Sequence, residues 1–189
     1  MPLCENRIRA AAFSAGWCLL CVLLVACEPA ANDFGFTIES VESRSSARSV
    51  IVTLHQKINL SGEARDALVH GVPLTITTEM QATSAVDSER RNSVRIWEIR
   101  YLPLSGHYQL TSESPLMVKT FPRLRHALAE LNQVDLEVTV PAAHVLEIRV
   151  RSFLDKAGLP PPMRLPTLLS SRWDHDSGWH VYRVNTAAG

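Results

Sequence analysis

The feature that most restricts the fold is a period of two. Leu146, Ile148 and Val150 alternate with Glu147, Arg149 and Arg151, so one face of this segment is apolar and the other charged. An extended chain sends successive side chains to opposite faces, whereas a helix would spread the same pattern around its axis. The alternation recurs along the chain. Val50, Val52 and Leu54 oppose Ile51 and Thr53, and Val72, Leu74, Ile76 and Met80 oppose Thr75, Thr77 and Glu79. Trp97, Ile99 and Tyr101 oppose Glu98 and Arg100, while Val134, Leu136, Val138 and Val140 oppose Asp135, Glu137 and Thr139. Each segment reads as a strand with one buried face and one wet face, as antiparallel sheets have.

Two segments depart toward helix. Ser61 can cap a helix over Gly62 to His70, in which Ala64, Ala67 and Leu68 share a face and Gly71 is the stop. Pro122 opens a second, with Leu124, Ala127, Leu128 and Leu131 in one stripe before Asn132. Turns are expected at Ser45-Ser46, Asp87 to Asn92, Ser105-Gly106 and Asp176 to Gly178. No repeated β-α-β rhythm and no internal repeat is present. The expected class is mainly β, or α+β: an antiparallel β-sandwich or strongly curved sheet with two short helices, in a single domain over residues 36–186. Pro160-Pro161-Pro162 and Pro166 cannot lie in a central strand. They are expected as a stiff crossover along the surface, with Leu159, Met163 and Leu165 fitted to a groove of the same domain.

The amino terminus reads as an address. Arg7 and Arg9 precede Ala10 to Ala26, a run without a charged residue. A basic start, an apolar core and a small residue at the end make a secretory signal over residues 1–26. The competing reading is a single membrane-spanning helix, but the run lies at the short limit of the roughly 20 residues a bilayer crossing needs. Leu24-Val25-Ala26-Cys27 matches the lipobox of bacterial lipoproteins. That match implies cleavage between Ala26 and Cys27 and acylation of the Cys27 thiol. Two or three acyl chains would hold the protein, since each buried methylene contributes about 0.8 kcal/mol and one chain alone binds reversibly. Cys27 to residue 35 is then a short tether. Glu28 stands where inner-membrane lipoproteins often carry Asp, which points to the outer membrane over the inner.

Cysteine usage agrees. Cys4, Cys18 and Cys21 lie before the cleavage point, so the Cys18-Leu19-Leu20-Cys21 spacing is a decoy and the mature domain has no disulfide. Removing residues 1–26 leaves 17 basic and 18 acidic side chains, a balance that gives no electrostatic case for nucleic acid or for an acidic membrane surface. No glycine-rich phosphate loop, nucleophile elbow or His-Glu-x-x-His helix occurs, and neither a catalytic residue nor a cofactor is assigned. The segment Arg172 to His180 carries the densest chemistry. Asp174, His175, Asp176 and His180 are residue types that bind zinc, yet Asp176-Ser177-Gly178 suits a hairpin turn with Trp173 and Trp179 packing the strand ends. No metal site is assigned there, and these four remain the candidates should one exist. His55 and His126 have no partner nearby in sequence.

The order of features resembles an uncharacterised proteobacterial envelope family, domain-of-unknown-function family 4390. The resemblance rests on Leu60-Ser61, Ala67-Leu68 and Gly71-Val72-Pro73-Leu74, then Arg100-Tyr101-Leu102, Tyr108-Gln109-Leu110 and Phe121-Pro122. It continues through Leu159-Pro160 and Trp173 to Trp179, so it covers most of Ser40 to Val184. It implies an envelope context and brings no established activity; lipidation rests on this sequence alone. The expected function is a lipid-anchored, periplasm-facing envelope protein, a non-catalytic binding or interaction module of unknown ligand. Its expected partners are the membrane, through acyl chains on Cys27, and an unknown envelope protein or ligand. The alternative is an envelope hydrolase or metal-dependent enzyme using Asp174 to His180.

Overall fold

The alternating segments become strands of two antiparallel sheets. The structure, a computed structural model, describes residues 34–45, 49–84, 89–113, 116–139 and 145–183, all within the compact unit Asp33–Gly189. In chain order the elements are β1 (Gly35–Ser45), β2 (Val50–Asn59), α1 (Gly62–Val69), β3 (Leu74–Ser84), β4 (Arg90–Leu102), β5 (His107–Glu113) and β6 (Leu116–Phe121). There follow α2 (Leu124–Glu130), β7 (Gln133–Val138), β8 (Val145–Leu154), α3 (Pro161–Leu169) and β9 (His180–Arg183), with short 3-10 turns at Lys156–Gly158 and Ser171–Trp173. One sheet has the order β1-β2-β7 and the other β6-β5-β4-β3-β8-β9.

The faces predicted to be apolar meet in one core. Val50, Val52 and Leu54 from β2 and Val134 and Leu136 from β7 join Leu74, Ile76 and Met80 from β3, Ile99 from β4 and Ile148 and Val150 from β8. Burying each such side chain contributes about 1.5–3 kcal/mol, which is how a domain without a disulfide is held. The mainly-β sandwich expectation holds. Two threonines expected to be wet are buried, each because of its cross-strand neighbours. Thr77 lies between Ile96 and Phe153. Thr53 lies beside Asp135, and its hydroxyl donates to Asp135 Oδ1 at 2.8 Å.

A polar chain crosses this core. Ser152 Oγ donates to Gln56 Oε1 at 2.5 Å. That uses the only serine hydrogen, so the Thr78 hydroxyl, 2.7 Å away, donates to Ser152 Oγ. Gln56 Nε2 then donates to the Leu131 carbonyl at 2.8 Å, and the Gln56 backbone N–H donates to the Asn132 carbonyl. All three side chains are buried, and each of these bonds compensates the desolvation that burial imposes. The chain ties β2, β3, β8 and the end of α2 together. Alternation alone gave no sign of it, because Gln56, Thr78 and Ser152 occupy apolar phases of their strands.

Among the three helices only α1 has a side-chain cap. Ser61 accepts a hydrogen bond from the Ala64 N–H at 3.2 Å to start α1, and Gly71, at φ 90°, turns the chain toward β3. α2 occupies the predicted stripe, burying Ala127 and Leu128. The proline segment is a correction: it is a third helix, α3, where an extended crossover and only two helices were expected. Pro161 and Pro162 occupy the first turn, where N–H groups have no intrahelical acceptor, so proline loses nothing there. Leu159 is buried and Met163 half-buried as expected, but Leu165 points outward and is 73% exposed.

All three helices, the 3-10 turns and the Leu102–His107 turn lie at one end of the sandwich. β1 starts there opposite the end of β2 (Gly35 with Asn59), β3 starts beside the end of β4 (Leu74 with Ile99), and β8 ends beside the start of β3 (Leu154 with Ile76).

Candidate functional site

Ala26 and Cys27, the expected cleavage and lipidation residues, lie outside the described residues. The segment Asp174 to His180 is described, and it disperses its side chains. Asp174 pairs with Lys156, and Asp176 pairs with Arg151 while also accepting the Gly178 N–H at 2.8 Å. His180 Nε2 meets the Ser177 carbonyl at 3.1 Å. His175 turns into the core, where its Nε2 accepts the Ser61 N–H at 2.8 Å and its ring lies 5.1 Å from Phe34 and 5.8 Å from Phe36. With Nε2 accepting, the proton of the neutral ring is on Nδ1, which has no hydrogen-bond partner among the described residues. Burial pushes the His175 pKa down, more than the Trp173 backbone raises it. Arg151 holds the Asp176 carboxyl below its ordinary range.

The four candidates therefore serve four separate contacts. No group of three or more His, Cys, Asp or Glu side chains placed to hold a metal occurs among the described residues. His126 accepts from Arg125 Nε at 3.3 Å, and His55 lies 3.8 Å from Glu42. Asp176 to Gly178 is a turn, with Gly178 at φ 69°, but not a hairpin between consecutive strands. Phe153 is bridged to Asp176, and Ser177 N–H donates to the Ser152 carbonyl, so the turn runs alongside β8 before β9 pairs with it. Trp173 packs into the core, while Trp179 lies under the guanidinium groups of Arg149 and Arg151 at 5.3 and 5.9 Å. Stacking of this kind favours a cation over an aromatic face.

A cleft that sequence reasoning missed lies where the wider sheet overhangs the narrower. It has a volume of about 280 Å³ and is lined by Trp97, Ser112 and Met117 from β4, β5 and β6, and by Glu130, Gln133 and Asp135 from α2 and β7, among others. Trp97, only 7% exposed, is its floor. Ser112 is buried, and its hydroxyl has no hydrogen-bond partner among the described residues. A buried hydroxyl without a partner costs free energy, about 1–3 kcal/mol. Among the described residues β7 pairs with β2 alone, so its other side is a strand edge without a partner strand, beside this cleft. The Arg95 guanidinium reaches across from β4 and donates to the Asp135 carbonyl of β7, Nη2 at 3.0 Å.

The cleft combines an aromatic floor, a spare hydroxyl and a strand edge, which is the equipment for holding an extended peptide. The signal that could have located it is weak. Ser112 shares the buried phase of β5 with Leu110 and has Trp97 and Met117 across from it on the adjacent strands, and only the sheet order brings it beside Gln133 and Asp135.

Comparison with curated proteins and with solved structures finds no match. The family model described as Domain of unknown function (DUF4390) matches residues 34–183, from the residue before β1 to the end of β9, and the chain belongs to that family.

Proposed function

We propose that this chain is a lipid-anchored bacterial envelope protein, held through acylated Cys27, whose periplasmic domain is a non-catalytic binding module. Its ligand is an extended segment of an envelope polypeptide taken up in the cleft beside β7. The observation that carries this reading is the Ser112 hydroxyl, buried and without a partner in a cleft floored by Trp97. The hydroxyl is closed off from solvent, so a ligand amide or carbonyl completes its hydrogen bonding once Ser112 turns toward the cleft, and the unpaired edge of β7 on either side of the Arg95–Asp135 contact supplies backbone donors and acceptors. The lipobox Leu24 to Cys27 supports the anchor.

The test is selection of peptides from a displayed random library against the full chain, followed by binding to Ser112→Leu, which fills the cleft. Selected peptides are expected to lose at least about tenfold in affinity, roughly 1.4 kcal/mol, while the unfolding midpoint of the variant shows that it remains folded. Peptides whose binding ignores the substitution, or no selected binder at all, would overturn the assignment of the cleft.

A further inference from the structure

The helical end of the sandwich is also where the described chain begins: Phe34 lies against His175, and Gly35 opens β1. Five large apolar side chains stand in solvent at this end. They are Val69 of α1, Leu104 in the turn after β4, and Leu165, Leu168 and Leu169 of α3, with Leu104 and Leu169 at least 90% exposed. The inner side of α3 is already used. Thr167 is buried there, its hydroxyl donating to the Met163 carbonyl at 2.9 Å, so the three leucines are surplus to the fold. Leu165, Leu168 and Leu169, three and four residues apart, share one face of α3, and an exposed apolar stripe of this kind marks an interaction surface.

Charge at the same end has one sign in one place. A groove of about 490 Å³ between α1 and α2 has Ile58, Leu124 and Leu128 as its floor and Lys57, Arg65 and Arg125 on its rim, with no carboxylate among its lining residues. Apolar side chains beside a cationic groove are the chemistry of an element lying in a bilayer interface, where acyl chains and phosphates are neighbours. Chain length limits the alternatives. From Cys27 to Phe34 the backbone spans at most about 25 Å when fully extended, so an anchor at Cys27 keeps this end close to the lipid.

We infer that the helical end docks on the bilayer, with α3 laying Leu165, Leu168 and Leu169 among the acyl chains and the groove between α1 and α2 meeting lipid phosphates. This inference rests on the anchor at Cys27 put forward above.

The experiment uses the full chain, purified from membranes into vesicles of phosphatidylethanolamine and phosphatidylglycerol. An environment-sensitive fluorophore is attached through Leu168→Cys or, as a control on the outer face of the larger sheet, through Val118→Cys. The expected result is a blue shift and quenching by a lipid-borne quencher at 168, with neither at 118. Both effects are expected to be lost when Leu165→Glu and Leu169→Glu are added. Mass spectrometry of the amino terminus accompanies each sample. An acylated Cys27 with an aqueous probe at 168, or equal quenching at both positions, would overturn the docking inference while leaving the anchor in place. A chain that starts elsewhere or carries no lipid would overturn the anchor, and the docking falls with it.

Discussion

At the scale of single residues, two buried hydroxyls with opposite fates stand out. Ser152 is satisfied on both sides, donating to Gln56 and accepting from Thr78, so it contributes to stability. Ser112 has neither bond among the described residues, so it detracts. Deleting a buried unsatisfied hydroxyl removes its desolvation cost and vacates only the space of one oxygen atom. Ser112→Ala is therefore expected to raise the unfolding free energy by about 1 kcal/mol in a denaturant titration, while weakening peptides that use the cleft. Gain in stability with loss of binding is the signature of a site kept at the expense of the fold. A fall in stability would mean that the hydroxyl is satisfied and is no marker of a ligand.

Among elements, the informative junction is the 3-10 turn Lys156–Gly158, which hands β8 over to α3. A Cβ added at Gly158 would sit 2.8 Å from Thr75 Oγ1 and 3.2 Å from Thr75 Cβ. Thr75 is a short branched side chain of β3 and cannot swing away freely. Gly158→Ala is expected to destabilise the domain by about 1–3 kcal/mol, measured by equilibrium unfolding; an unchanged midpoint would show that the turn moves aside. Such close approaches are invisible in a sequence, where Gly158 looks like any loop glycine. What was legible was local. The alternating strands, the Ser61 cap and the α2 stripe appear where the periodicity placed them, because each depends on neighbours a few positions away. The α3 helix was misread because three consecutive prolines say "not a strand" and equally suit the start of a helix. The β7 cleft depends on sheet order, which brings Ser112 beside Gln133 and Asp135 and which no single segment encodes. Likewise, the Asp174 to His180 cluster looked like chemistry because the residues are adjacent in sequence, whereas Lys156, Arg151 and Ser61 draw them apart.

For the molecule as a whole, three groups that titrate in acid have lowered pKa values and act in the same direction: His175, Asp176 and, through its hydrogen bond from Arg172, the solvent-exposed Glu63. His175 has its pKa lowered from the ordinary 6.5 by burial, so the unfolded chain takes up the proton first as pH falls. Its contribution is complete above 6.5 and is lost progressively below that value. Asp176 is lowered from 3.8 by Arg151, so its contribution, modest because the pair is partly exposed, is lost only below 3.8. Unfolding free energy is expected to decline from about pH 6.5 downward and to fall again in strong acid. His175→Gln, which keeps an acceptor for the Ser61 N–H, is expected to remove the first decline; a wild-type profile that is flat between about pH 5 and 6.5 would contradict the buried neutral ring. The pairing of β1 has a mechanical corollary. Its leading residue is where the tether proposed from Cys27 would join, and the strand is zipped antiparallel to β2 from Gly35–Asn59 to Ser45–Val50. A pull on that leading residue acts along the strand, so the rungs of the ladder share the load in shear instead of opening one after another. A domain moored as proposed would resist being peeled by tension on its leash.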